Sequence, residues 1–217
     1  DTTFTNYTTA NGLSNDEIWY LYCDSKQRIW ISTFGGGVTC YNAPAFFSYT
    51  PDDGLLEDSV NQVFEDHEGS YWFGHNTTGL SRFEPEYFEV ITTDPVAEGG
   101  FTIDPEKRIW YGSFSKLGCS DEHTCTAMEM EAPINTILDD NRGGLWVGTY
   151  GKGLFYFPDR HTVDRDAPRQ FTTEHGLNDL HIGALMEDRH GHIWLGADKT
   201  VYRYDGATFH NMFSHPK

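Results

Sequence analysis

Asp140-Asn141-Arg142-Gly143-Gly144-Leu145-Trp146-Val147-Gly148-Thr149 decides the fold, because its Asp, with a Trp six residues on, returns four more times. The other copies are Asp24-SKQRI-Trp30, Asp66-HEGSY-Trp72, Asp104-PEKRI-Trp110 and Asp188-RHGHI-Trp194. Five of the six tryptophans hold this one position, which marks a repeat protein. An apolar or alternating run precedes each Asp: Ile18–Cys23, Val60–Glu65, Phe101–Ile103, Ile134–Asp139 and Ile182–Glu187. A β-rich run follows each Trp, with a small residue two positions on: Ser32, Gly74, Gly112, Gly148 and Gly196. A turn, a third short strand and a fourth complete each unit, and no stretch sustains a helical period.

Four short strands in a period of about forty residues make a propeller blade. The sequence therefore predicts an all-β, five-bladed β-propeller of four-stranded antiparallel blades, strands A to D. Its alternative is a five-blade portion of a seven-bladed ring. One domain is expected over 1–217, with repeats at approximately 9–50, 51–92, 93–128, 129–172 and 173–213. A sixth D-like strand, Phe4–Thr8, is expected to close the ring beside strand C of unit five. Thr208–Met212 is then spare, or the two exchange roles.

The repeated residues have structural work. Asp24, Asp66, Asp104, Asp140 and Asp188 open the A–B turns, where a short carboxylate accepts backbone N–H bonds. Trp30, Trp72, Trp110, Trp146 and Trp194 are large enough to fill the space between blades. Gly three residues after the Asp supplies φ > 0, but Gln27 and Lys107 replace it in units one and three. Those two turns are expected to be strained or differently shaped.

The pattern D-x-x-G-x-I-W-x-G-T-x-G-x-G-L, preceded by a Gly-Leu step, resembles the two-component regulator propeller repeat. Asp140–Leu154 and Asp66–Leu80 carry it best, and Gly12-Leu13, Gly54-Leu55 and Gly176-Leu177 supply the step. The resemblance implies the periplasmic sensor region of bacterial hybrid two-component systems. That setting implies a periplasmic or extracellular location, oligosaccharide detection and further domains in a larger parent protein. Five units stand here instead of seven or fourteen. Units three and five depart from the pattern at the B–C turn, where unit five has Ala197-Asp198-Lys199.

Composition narrows the function. A formal net charge of −18 repels nucleic-acid phosphate and anionic lipid, so neither is an expected partner. No run of eighteen apolar residues is available to span a bilayer. The chain opens without Met or a charged-then-apolar leader, as a processed secreted protein or an excised segment would. Cys119 and Cys125 could be bridged across a hairpin. Cys23 and Cys40 fall on strands separated by a third, about 9.5 Å apart, beyond disulfide reach, and read as small buried hydrophobes. No metal motif and no cofactor signature is present, although the acidity is compatible with a structural Ca²⁺. The histidines of Asp188-Arg189-His190-Gly191-His192 read as solvated turn residues.

Variable loops on a regular scaffold are where binding is expected, and here those are the D–A and B–C connections. The B–C side offers Phe34, His75, Asn76, Phe114, Lys116, Tyr150, Lys152, Asp198 and Lys199. The D–A side offers Asn15, Trp19, Asn61, Asn135 and His181. Aromatic faces mixed with amide, carboxylate, amine and imidazole suit a sugar, whose C–H faces pack on rings and whose hydroxyls need donors and acceptors. Alternatively Phe34, Phe114 and Tyr150 plug the channel. An enzyme, a glycoside hydrolase or lyase, would draw its acid and base from Asp16, Glu17, Glu57, Asp58, Asp179 and Asp198. A protein-interaction scaffold is the third reading. Recognition of an oligosaccharide or other small ligand is the leading one.

Overall fold

The computed structural model describes residues 4–84, 87–92, 100–120 and 125–213; of 87, 92 and 125–127 it describes the backbone. The fold is an all-β propeller architecture built from five four-stranded antiparallel sheets, each a meander. The first is β1 (Ile18–Cys23), β2 (Ile29–Thr33), β3 (Val38–Asn42) and β4 (Ala45–Tyr49). The second is β5 (Val60–Glu65), β6 (Tyr71–His75), β7 (Gly79–Glu84) and β8 (Tyr87–Thr92). The third is β9 (Phe101–Ile103), β10 (Ile109–Gly112), β11 (Lys116–Ser120) and β12 (Cys125–Glu129). The fourth is β13 (Ile134–Asp139), β14 (Leu145–Thr149), β15 (Leu154–Phe157) and β16 (Arg169–Phe171). The fifth is β17 (Ile182–Glu187), β18 (Ile193–Ala197), β19 (Thr200–Tyr204) and β20 (Phe209–Asn211). The first two sheets belong to a compact unit spanning 1–98 and the other three to a second unit spanning 99–217.

The Asp-to-Trp repeat folds the same way in every blade. Oδ1 of each Asp accepts two backbone amides, and Oδ2 accepts the indole N–H of the Trp. For Asp140 these are Arg142 at 2.9 Å, Gly144 at 2.8 Å and Trp146 Nε1 at 2.8 Å. The corresponding indole bonds are 3.0 Å for Trp30, 2.8 Å for Trp72, and 2.9 Å for Trp110 and Trp194. Gln27 and Lys107 adopt the left-handed conformation that Gly takes elsewhere, at φ 62° and 66°. Their turns keep the common shape, so the strain is accepted in place. Both are followed by an arginine, Arg28 or Arg108, whose Nε reaches the Asp Oδ2 at 2.7 Å. Against the cost of burial, the Arg28 amide, the Trp30 indole and the Arg28 guanidinium hold the Asp24 carboxyl below its ordinary range.

Trp30, Trp110 and Trp146 each pack their blade on the next. Buried Trp30 lies 4.5 Å from the Tyr71 ring and 5.6 Å from Phe73, both on β6. Buried Trp146 stacks on Tyr156 and meets Tyr204 of β19 at 5.6 Å. Trp110 joins a cluster with Ile137, Leu145, Val147 and Phe155 of the fourth blade. Each such ring buries roughly 150–250 Å² of surface.

A carboxylate at the end of strand A ties neighbouring turns together. Glu65 accepts the amide of Ser25 at 2.6 Å and its hydroxyl at 2.8 Å. Glu187 accepts the amide of Asn141 at 2.8 Å. The fourth blade has the shorter Asp139, and a buried arginine spans the gap. Arg160 donates to Asp139 Oδ1 at 2.7 Å and to Glu106 of the third blade's turn at 3.0 Å. Burial pushes the Asp139 carboxyl up, and Arg160 opposes that rise.

The Gly-Leu steps end single 3-10 turns, Thr9–Asn11, Pro51–Asp53 and Thr173–His175, and each Leu is buried. Two expectations change here. Phe4–Thr8 forms no strand; its Tyr7 packs on Tyr41 and Phe46, while β20 pairs along β19 after the Asp205–Thr208 turn. Cys23 is exposed, because the solvent-facing β1 ends there, whereas Cys40 is buried. The proposed Cys119–Cys125 bridge rests on a side chain outside the described residues.

Candidate functional site

Strand A carries a β-bulge at its first residues in four blades. The register shifts between Ile18 and Tyr20, Val60 and Gln62, Ile134 and Thr136, and Ile182 and Ala184. The extra residues are Trp19, Asn61, Asn135 and Gly183. A bulge re-aims a side chain, and here it presents one position at the same end of each of these four blades. Beside it, the residue four after the repeated Trp is pinned by its own D–A loop. Phe34 donates its amide to the Glu17 carbonyl at 3.0 Å, Asn76 to Ser59 at 3.0 Å and Tyr150 to Pro133 at 2.9 Å. The B–C loop then reaches the next blade. Gly37 donates to the Asp58 carbonyl at 2.6 Å and Gly153 to the Leu180 carbonyl at 2.9 Å. Both glycines have positive φ, and a Cβ would stand 2.1 Å from the Tyr49 oxygen or 2.3 Å from the Phe171 oxygen.

In the first unit Trp19 and Phe34 form an exposed pair of rings 4.9 Å apart. Asn15 supports it, donating Nδ2 to the Phe34 carbonyl at 2.8 Å and accepting the Glu17 amide at 2.8 Å. In the second blade the position turns polar. Asn61 is buried, and among the described residues neither its Nδ2 nor its Oδ1 has a hydrogen-bond partner. His75 is fully buried and shares a 2.7 Å hydrogen bond with Ser81 through Nε2. Burial pushes its imidazole down to about 4, against the Glu57 carboxylate and carbonyl. Glu57 accepts the Thr77 amide and the hydroxyls of Thr77 and Thr78. Those bonds outweigh burial and hold its carboxyl below the usual range.

In the second unit Tyr150 and His181 pair across an isolated bridge, rings 4.3 Å apart and edge to face. His181 Nδ1 lies 2.8 Å from Asp198 Oδ1, and its amide donates to Asp179 Oδ1 at 3.1 Å. Asn135 donates to the Ile182 carbonyl at 3.4 Å, and Lys152 reaches Glu131 at 3.3 Å. Lys199 is exposed, and Lys116 lies 4.0 Å from Glu129. Phe34 is 43%, Phe114 71% and Tyr150 60% exposed.

Of the six carboxylates considered as catalysts, Asp16, Glu57 and Asp179 hold loops. Asp16 accepts the Thr9 amide at 2.6 Å. Glu57 and Asp179 cap their loops as described. Glu17 and Asp58 engage through their carbonyls and are exposed. Asp198 is the one that holds an imidazole. Two residues are not legible in the sequence: Gly183 as the fourth bulge residue and Glu131 as the partner of Lys152. The first lacks a side chain to attract notice, and the second lies outside the repeat.

The two-component regulator propeller family matches residues 12–35, 130–151 and 176–199. No curated protein matches the chain. Among solved structures it is similar to the extracellular domain assigned to a hybrid two-component system of B. thetaiotaomicron: TM-score 0.77, 22% identity, 91% of this chain and 29% of that one. A second extracellular domain from B. thetaiotaomicron, assigned to a one-component system, gives TM-score 0.74 and 18% identity over 93% of this chain and 31% of that one. Virginiamycin B lyase from Staphylococcus aureus gives TM-score 0.74 and 15% identity over 95% of this chain and 73% of that one. The chain thus spans under a third of the length of the two extracellular domains. Among the described residues no helix is long and apolar enough to cross a membrane.

Proposed function

We propose, for a chain that carries two-component regulator propeller repeats, that it is a ligand-recognition portion of a bacterial sensor and takes an oligosaccharide at the bulge ends of its blades. The carrying observation is the aromatic and polar pairing there, Trp19 with Phe34 and Tyr150 with His181 and Asp198. Exposed rings give apolar sugar faces a surface, and the imidazole and carboxylate give hydroxyls both donor and acceptor. The unpartnered Asn61 amide adds the capacity for a further pair of hydrogen bonds. The similar extracellular domains support an extracellular or periplasmic setting within a longer sensor.

The test is a thermal-shift and calorimetric panel of plant and host oligosaccharides on the purified chain. One sugar class is expected to raise the melting temperature with dose; Trp19→Ala is expected to reduce the rise contributed by the first unit and Tyr150→Ala that contributed by the second. A flat panel into the millimolar range would overturn the reading and shift weight to a protein-binding scaffold.

One observation favours a second reading, a carbohydrate-active lyase or hydrolase. Asp198 orients His181 through Nδ1, the arrangement of a general base. Product formation that His181→Ala abolishes, with binding retained, would establish it.

A further inference from the structure

At the opposite end of the fifth blade, the A–B turn gathers two imidazoles around the repeated carboxylate. Asp188, His190 and His192 each offer a ligand atom, and these atoms all lie within 4.8 Å of one another. His192 Nδ1 is 3.1 Å from Asp188 Oδ2, and His190 Nδ1 is 3.9 Å from Oδ1. The turn is closed by hydrogen bonds to the carboxylate. Asp188 accepts the amides of His190 at 2.8 Å and His192 at 3.0 Å, and the Trp194 indole at 2.9 Å.

Comparison with the other turns shows what is distinctive. The residue four after the Asp is Arg28 or Arg108 in the first and third blades, and its guanidinium lies against Oδ2 at 2.7 Å. His192 occupies that slot in the fifth blade. A guanidinium cannot surrender its proton, but an imidazole can exchange its N–H for a metal. His190 stands beside it, 62% exposed at the side chain, as a second nitrogen donor open to solvent.

We propose that Asp188, His190 and His192 form a divalent transition-metal site, of the Zn²⁺ class, on the face away from the ligand-binding loops. Two imidazoles and a carboxylate suit a borderline-soft cation and not Ca²⁺, which prefers an all-oxygen shell. Asp188 keeps its bonds to the backbone and the indole while Oδ2 exchanges the His192 N–H for the metal. A neutral His192 carries its proton on Nε2 in the bound form, so nothing is released; a charged one releases one proton to solvent. Arg142, whose Nη2 would stand 3.1 Å from a Cβ on Gly191, opposes a cation, while Glu187, whose Oε1 would stand 3.5 Å from the same Cβ, and Asp188 attract it. Water completes the shell, since only three protein ligands converge.

Zn²⁺ titration of the whole chain by calorimetry at pH 7.5 tests this. One Zn²⁺ is expected to be held by this turn. His190→Ala and His192→Ala should each weaken that binding by about tenfold or more. His67→Ala, in the second blade's turn, should leave it unchanged. His190→Ala removes no hydrogen bond within the turn, so it folds even if His192→Ala destabilises. Parent-like titration of the His190→Ala chain, or equal weakening by His67→Ala, would overturn the assignment. Tighter binding of Ca²⁺ than Zn²⁺ at this turn would overturn it as well.

Discussion

At one end of each blade an aspartate makes the same bonds five times over; at the other end the bulge position holds Trp19, Asn61, Asn135 and Gly183 in turn. The bulge recurs in four blades and the turn in five, so among those four the difference lies in the side chains. At the A–B turn the carboxylate satisfies backbone amides and an indole that would otherwise be buried without acceptors, and only Asp fits. At the bulge the backbone satisfies itself through loop carbonyls, and the side chain is released for other work.

The comparison breaks first at the turn. Asp140→Ala strands the Arg142 and Gly144 amides and the Trp146 indole, and is expected to cost roughly 3–5 kcal/mol in urea unfolding. A loss under about 1 kcal/mol would mean that the repeated Asp is not the structural element argued here.

Arg160→Ala comes next. It leaves Asp139 buried without its guanidinium and disconnects Glu106, at an expected cost of about 3 kcal/mol. Asp139→Asn in the same background should recover part of that loss, because the stranded charge is gone. No recovery would show that Arg160 acts by packing alone.

His75 gives the comparison a pH axis. Its folded value of about 4 lies below the unfolded 6.5, so the unfolded chain binds the extra proton. Its contribution is complete above pH 6.5 and is lost as pH falls toward 4, a change of roughly 2–3 kcal/mol. Urea midpoints at pH 7 and 5, for the parent and His75→Gln, should show a flatter slope in the variant. Equal slopes would place the titration elsewhere.

At the bulge end the expected stability effects are small. Trp19→Ala and Tyr150→Ala remove exposed rings and should cost under about 1 kcal/mol each while weakening ligand response in their own unit. A loss above about 2 kcal/mol would make these rings part of the core and remove the contrast between the two ends.

How much of this the sequence carried follows from repetition. The strand positions and the Asp–Trp pairing are legible because five copies filter out what is incidental. Trp19 stands out as the Trp off the repeat, but its equivalence to Asn61 and Asn135 needs the strand register. Arg160 was invisible: it occurs once, in a loop outside the pattern, and bridges residues 54 and 21 positions away. Glu65 and Glu187 read as strand ends, since their bonds to a neighbouring blade leave no trace in the repeat. The imidazoles of the fifth turn looked solvated, since spacing alone does not show His192 filling the slot of Arg28.

The smallest effect sharpens the comparison at the turn itself. Gln27 and Lys107 hold φ 62° and 66°, a conformation that costs a residue with a Cβ about 1 kcal/mol. Gly relieves that strain but adds freedom to the unfolded chain, so the net gain is smaller. Gln27→Gly should therefore raise stability by about 0.5 kcal/mol and leave Trp30 fluorescence unchanged. Arg28 sets the limit of the argument, because its 2.7 Å bond to Asp24 is specific to these two turns. If Gln27→Gly destabilises, the arginine depends on the strained geometry beside it, and the turn is an arginine clamp more than an Asp turn. If the variant is more stable, the five turns are one device, and the sequence at the third position is free to drift toward whatever surface the blade must present.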